Sequence, residues 1–303
     1  MTGDDSGKPL DEGVADLHMH TTASDGTLTV AERVALAEER SLSAIAITDH
    51  DTLSADLSEP VTTIGSVDVI AGVEVRADLF NTKIEILGYF LDPADEQLQE
   101  LLAQAREFRT RRNTELVERL ARVADLDITY ESLADSVEGA LGRPHLAEVL
   151  VENGRVDSIQ EAFDEYLARD GEVYVPMERL DAPAVIETLH AAGGVTSLAH
   201  PGRIRADTAQ VEQMVERLVE LGIDGLEVWY PYGAVTAVDD LPITPDRALE
   251  LAHRYDLIPT GGSDCHGPGS EKFRLGEVRV PAETVDALRT RHAALAAERA
   301  EKP

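Results

Sequence analysis

The chain has 303 residues, with 58 acidic against 27 basic side chains and a formal net charge of −31. Hydrophobic residues make up 43%, which excludes an acidic disordered protein and suffices for one large core or two modest ones. A single cysteine, Cys265, excludes a disulfide scaffold, and no apolar run approaches the roughly 20 residues of a membrane span.

The first 13 residues are polar, carry no signal-peptide pattern and read as a flexible segment of a cytoplasmic protein. Strands are then expected at Val14–His20, Ser43–Thr48, Asp68–Val75 and Lys83–Phe90. Helix Val30–Arg40 falls between the first two, opened by Thr29 with Glu32 at the capping-box spacing. From about Asp92 to Arg179 the strand signal gives way to helical patterns at Glu96–Val123, Pro144–Asn153 and Ile159–Ala168. Strands resume at Val195–Ala199, Asp224–Trp229 and Leu257–Gly261, separated by helices Ala184–Ala192, Thr208–Leu221 and Pro245–Tyr255 and followed by Ala282–Ala300. Gly193-Gly194 reads as a helix stop. Alternation of this kind implies an α/β fold on a parallel sheet, formed by residues 14–91 and 180–300, with 92–179 as a helical insertion.

Lysine occurs only at Lys8, Lys83, Lys272 and Lys302, so arginine supplies nearly all the cations. An acidic, lysine-poor surface suits a protein working in molar salt, where the Debye length falls to about 3 Å and self-repulsion is screened. A patch for a basic partner is the competing reading, but the acids are spread along the whole chain.

Five clusters carry the chemistry. Side chains alternate along a strand, so His18 and His20 share a face, and Asp264 and His266 repeat that spacing. Thr48-Asp49-His50-Asp51, Gly72-Val73-Glu74 and Ala199-His200-Pro201 lie between them. Each cluster falls at the C-terminal end of an expected strand, the rim where parallel barrels build their sites. A single histidine there reads as a satisfied polar residue, but the joint pattern reads as metal binding. Imidazole with carboxylate suits Mn²⁺, Fe²⁺ or Zn²⁺, with Mn²⁺ the preferred expectation. Cys265 alternates to the other face as a small buried hydrophobe. His190, His253 and His292 fall in helical patterns and are left as structural or surface residues. No nucleophile elbow occurs.

Asp16-Leu17-His18-Met19-His20 through Asp25-Gly26, Thr48-Asp49-His50-Asp51, Gly72-Val73-Glu74, Ala199-His200-Pro201 and Gly262-Ser263-Asp264-Cys265-His266 together resemble the motif series of the polymerase and histidinol phosphatase (PHP) family. Ile86-Leu87-Gly88-Tyr89-Phe90, Gly142-Arg143-Pro144-His145 and Gly225-Leu226-Glu227-Val228-Trp229-Tyr230-Pro231 resemble the branch of 3′,5′-nucleoside bisphosphate phosphatases and RNase AM-type 5′→3′ exoribonucleases. The resemblance implies a distorted (β/α)7 TIM-like barrel and up to three divalent ions. It assigns His18, His20, Glu74 and Asp264 to a first metal and Asp25, His50 and His266 to a second. Glu74 bridges to a third with His200. Close relatives usually add a His to that third site, where this chain has Glu85, either a harder donor that favours Mn²⁺ or Mg²⁺ or a surface side chain.

Such ions lower the pKa of a bound water toward about 7 and clamp phosphoryl oxygens, so a metal-bound hydroxide is the expected nucleophile. Asp264, His266, Glu74 and His200 are the expected catalytic set. Arg106, Arg109 and Arg112 share roughly one helix face and suit phosphate, or else pair with Glu107, Glu115 and Glu118 on an exposed surface. The resemblance places a substrate phosphate against Arg109, Arg112, Arg143 and His145. Tyr89, Trp229 and Tyr230 could stack a base, though Tyr89 and Trp229 equally suit the core. The expected substrate is a nucleotide or short oligonucleotide carrying a 5′ phosphate, cleaved at its 3′-linked phosphate. A small-metabolite phosphomonoesterase and an inert scaffold module are the alternatives. No membrane and no obligate protein partner are expected.

Overall fold

The computed structural model describes residues 14–136, 141–168, 171, 173–232, 240–268, 270 and 275–301. The segment 1–13, expected to be flexible, lies outside the described residues. Two compact units emerge, one holding the chain through Ala103 and again from Arg179, the other Gln104–Glu178. The division falls within a long helix, α2 (Glu96–Val123).

The first unit is built on one sheet. Its strands β1 (Ala15–Met19), β2 (Ala44–Ile47), β4 (Val67–Leu79), β5 (Thr82–Tyr89), β7 (Val195–Leu198), β8 (Gly225–Trp229) and β9 (Ile258–Gly261) are neighbours in that order. Two short strands, β3 (Val61–Ile64) and β6 (Leu180–Asp181), add to β4 and were not expected from the sequence. The outer ends approach each other: Met19 bridges in parallel to Cys265, and the His20 amide donates to the Cys265 carbonyl at 3.0 Å. Gly262 permits this, since a Cβ there would lie 2.3 Å from the His18 nitrogen. The result is a nearly closed, barrel-like sheet in a mixed α/β fold.

The expectation of a wholly parallel sheet does not hold. β5 runs antiparallel to both β4 and β7. The reason is local: β4 and β5 are joined by Phe80 and Asn81, at φ +54° and +61°, and a two-residue turn can only fold a chain back as a hairpin. This also moves Glu74, expected at a strand end, into the interior of β4.

Helix α1 (Val30–Glu39) carries the capping box expected from its sequence. The Glu32 amide donates to Thr29 Oγ1 at 3.3 Å, and the Thr29 amide to Glu32 Oε2 at 2.8 Å. Val30, Val34 and Ala37 bury one stripe against Met19, Ile45, Ile47 and Val69. Each such aliphatic side chain contributes roughly 1.5–3 kcal/mol by burial. α6 (Ala182–Ala191) ends at Gly193, φ +87°, the glycine stop. α7 (Thr208–Glu220), α8 (Pro245–Arg254) and α9 (Ala282–Glu301) complete this unit.

The second unit is helical. The C-terminal part of α2 contributes Leu116, Val117 and Leu120 to a core with Leu146, Ala147 and Leu150 of α4 (Arg143–Glu152) and Ala162 of α5 (Ile159–Glu165). α3 (Tyr130–Ala134) packs at its edge. Among the described residues no helix is long and apolar enough to cross a membrane.

Candidate metal centre

The nine residues expected to ligate metal converge, although they come from seven separate stretches of chain. His18 lies in β1 and His20 directly after it, with ring centroids 5.4 Å apart. Around the first donor group, His20 Nε2 lies 3.1 Å from Asp264 Oδ1 and 3.5 Å from Glu74 Oε2. His18 Nε2 lies 3.6 Å from Glu74 Oε2 and 3.7 Å from Asp264 Oδ1. A second group gathers around Asp25, 3.5–3.7 Å from nitrogens of His20, His50 and His266. On the other side of Glu74, His200 Nε2 donates to Glu74 Oε1 at 2.9 Å and lies 3.6 Å from Glu85 Oε2.

Divalent ions fit the first two groups. The donor atoms of His18, His20 and Glu74 lie within 4.8 Å of one another, as do those of His20, Asp25, His50 and His266. His18 Nε2, His20 Nδ1 and His50 Nδ1 are buried without a hydrogen-bond partner. Buried polar atoms are normally paired, so three unpaired imidazole nitrogens beside carboxylates mark where a cation belongs. The electrostatics agree. Burial opposes charge on His18, yet Glu227, Glu74 and Asp264 raise its pKa well above the ordinary value, a field that would equally hold a metal ion. Burial, with His266 and His50 nearby, lowers His20 to about 4, leaving a neutral imidazole competent to ligate. Burial works against ionisation of Asp25, Glu74 and Asp264, but the surrounding histidines hold all three well below the usual carboxylate range.

Several residues that position these donors were not singled out from the sequence. Glu227, fully buried in β8, accepts from His18 Nδ1 at 2.9 Å through one oxygen and from the His200 amide at 2.6 Å through the other. It thereby fixes the His18 tautomer that leaves Nε2 for metal. Asp49 accepts from the Thr21 amide (2.7 Å), Thr21 Oγ1 (2.6 Å) and Ser24 Oγ (2.6 Å), pinning the loop that carries Asp25. Asp16 does the same for the segment before Asp264, accepting from Ser263 Oγ at 2.6 Å and the Gly276 amide at 2.8 Å. Asp264 itself sits at φ +50°, strain that these bonds hold in place. For Asp16 and Asp49 the available signal was a carboxylate one or two residues before an expected ligand; Glu227 had no such neighbour.

Tyr230 is 4% exposed, and its hydroxyl donates to Asp264 Oδ2 at 2.8 Å. Arg203 Nη1 donates to that hydroxyl at 2.6 Å. Tyr89 and Trp229 are buried as well, so the idea that these aromatics stack a base is replaced by core packing and, for Tyr230, orientation of Asp264. Cys265 is buried and accepts at 2.9 Å from Nη1 of Arg33, whose Nη2 donates to the carbonyls of His20 and Cys265.

The expected substrate residues all lie in the helical unit. Arg112 donates to the Val175 carbonyl at 3.3 Å and to Asn113 Oδ1 at 2.8 Å. Asn113 Nδ2 in turn donates to the Leu141 carbonyl at 2.6 Å, tying α2 to the turn that opens α4. At that turn His145 Nδ1 accepts from the Gly142 amide at 3.0 Å, a capping role the Arg-Pro-His motif did not suggest. Arg143 lies over the Phe163 ring, 5.7 Å from its centroid. Arg109 is half-buried on α2.

Comparison with known proteins agrees with this geometry. Residues 16–175 match the PHP domain. The chain is 34% identical over 259 residues to the 5′-3′ exoribonuclease Rnm of Escherichia coli, covering 84% of this chain and 86% of that one. It is 28% identical over 265 residues to the 3′,5′-nucleoside bisphosphate phosphatase of Chromobacterium violaceum, covering 84% and 87%. A solved Bifidobacterium adolescentis structure, whose metal-dependent phosphoesterase activity is itself an assignment, superimposes with a TM-score of 0.76 at 30% identity, covering 93% of this chain and 97% of that one. The chain belongs to the PHP domain family.

Proposed function

We propose that this chain is a metal-dependent phosphoesterase that hydrolyses the 3′-linked phosphate of nucleotides carrying a 5′ phosphate. Terminal phosphates would be released as inorganic phosphate, and longer chains trimmed from the 5′ end. The observation that carries this reading is the set of buried nitrogens of His18, His20 and His50 that make no hydrogen bond yet lie close to the carboxylates of Glu74, Asp25 and Asp264. Relatives that share over four-fifths of the chain bear the names exoribonuclease and nucleoside bisphosphate phosphatase.

His18, His20, Glu74 and Asp264 would hold one divalent ion, and Asp25, His50 and His266 a second, with Mn²⁺ the proposed metal. Bound there, the ions supply activation of water and charge neutralisation on phosphate. The protein's part is preorganisation. Glu227 orients His18, Tyr230 and Arg203 orient Asp264, and the Asp264 carbonyl accepts from His266 Nδ1 at 2.8 Å, leaving Nε2 toward Asp25. Arg109, Arg112, Arg143 and His145 are proposed to bind the substrate's 5′ phosphate, arginine's planar fork matching phosphate oxygens. The lysine-poor acidic surface supports assay in molar salt.

The test is incubation with adenosine 3′,5′-bisphosphate and with a 5′-phosphorylated RNA oligomer, with Mn²⁺ in molar KCl. Release of phosphate from the first, or of nucleoside 5′-phosphates from the second, is expected. Turnover of histidinol phosphate alone would instead favour the small-metabolite reading.

A further inference from the structure

The two sides of Glu74 are built differently. The His18, His20 and His50 side leaves three buried nitrogens without a hydrogen bond, whereas the Glu85 side is already saturated. Register across the β4–β5 hairpin sets Arg76 directly opposite Glu85. Arg76 Nε donates to Glu85 Oε1 at 2.9 Å, and Lys83 Nζ donates to Oε2 at 2.8 Å. Both carboxylate oxygens therefore hold a cation, on a side chain only 7% exposed. The remaining donor, His200 Nε2, is bonded to Glu74. His50, Glu74 and Glu85 do approach closely enough to surround an ion. The charge balance is against one: a guanidinium and an ammonium already sit on Glu85, offsetting the Glu85 and Glu74 carboxylates and both repelling a dication. Glu85 does not fit the role of third-metal ligand.

Resting on the two-ion reading above, we propose that the centre binds two divalent ions and that the Arg76 guanidinium, clasped by Glu85, stands in for a third. Glu74 and Asp51 also act on Arg76 electrostatically, so it sits in the field a third ion would occupy. Among the described residues only Nε of Arg76 is hydrogen-bonded, which leaves both Nη groups to receive a phosphoryl oxygen bidentately. Glu85 is then a positioning residue. Lys83 completes the neutralisation of its second oxygen.

The test is equilibrium dialysis of the full chain against Mn²⁺ in molar KCl, where ordinary surface carboxylates compete poorly, with bound metal counted by mass spectrometry. Two ions per chain are expected. One or three would overturn the proposal while leaving the phosphoesterase reading intact, and none would remove that reading with it. Kinetics form the second arm. Arg76→Ala should lower kcat about 100-fold, the loss typical of one transition-state donor, with two ions still bound and KM changed far less. Arg76→Lys should recover part of that loss, since it restores the charge without the fork. An Arg76→Ala protein that melts like the parent and turns over at the parent's rate would refute the assignment.

Discussion

Glu74 divides the centre into two halves that solve the same electrostatic problem in opposite ways. Toward His18, His20 and His50, carboxylates face buried imidazole nitrogens that make no hydrogen bond among the described residues. Toward Glu85, the carboxylate is met by Arg76 and Lys83, and nothing is left over. The lesson is that an inventory of acids and histidines does not count metal ions. A dication placed about 5 Å from one fixed cation meets about 7 kcal/mol of repulsion at an effective dielectric of about 20, enough to decide between two sites of similar donors.

The largest effect should come from breaking the unsatisfied half. His18→Ala removes a donor shared by Glu74 and Asp264 and should lower turnover by about 1,000-fold, with the far-ultraviolet circular dichroism unchanged. Full activity would place His18 outside the chemistry. Glu227→Gln keeps the shape but weakens the bond that orients His18, and should cost 10–100-fold, as outer-sphere carboxylates roughly do, read as Mn²⁺ affinity or kcat. Arg109→Ala acts in the other unit. Loss of one charged hydrogen bond is worth roughly 1.5–3 kcal/mol, so 5′-phosphorylated substrates should suffer on the order of 10–100-fold while p-nitrophenyl phosphate is spared. Equal losses on both would dissolve the phosphate-pocket argument.

The smallest effect is on stability alone, and it tests whether a clasped carboxylate behaves like a settled ion pair. Asp224, just before β8, accepts from His190 at 2.8 Å and from Arg291 at 2.6 Å, much as Glu85 accepts from its two cations. Burial would raise its pKa, but the bonds from His190, the Thr196 amide and Arg291 hold it below the usual range. A depressed folded pKa means the stabilisation is complete above the unfolded value near pH 4 and is lost as pH falls through the folded value. Asp224→Asn should therefore cost about 1–3 kcal/mol at neutral pH in urea melts. That gap should close in acid, and a gap constant down to pH 2 would show that the charge contributes nothing.

Much of this was legible in one dimension. Strand periodicity located all seven strands of the main sheet path, and the i, i+2 spacings of His18–His20 and Asp264–His266 named donors that do meet in space. The Thr29–Glu32 capping box and the Gly193 stop were readable because both depend on contacts within one turn of chain. The hairpin was harder. Phe80-Asn81 is a weak turn signal, and without the reversal β5 reads as one more parallel strand.

Residue types and local spacing were enough to specify an α/β chain whose strand ends carry histidine and carboxylate clusters suited to metal, because alternation along a strand is fixed by backbone geometry. Only the tertiary structure decided that Glu227 braces one histidine from β1 and another just past β7, that Tyr230 serves Asp264 rather than the solvent, and that Arg76 and Lys83 close around Glu85. Those outcomes depend on strand order and register, which bring together residues far apart in sequence. The energy of a buried charge depends on what surrounds it in three dimensions.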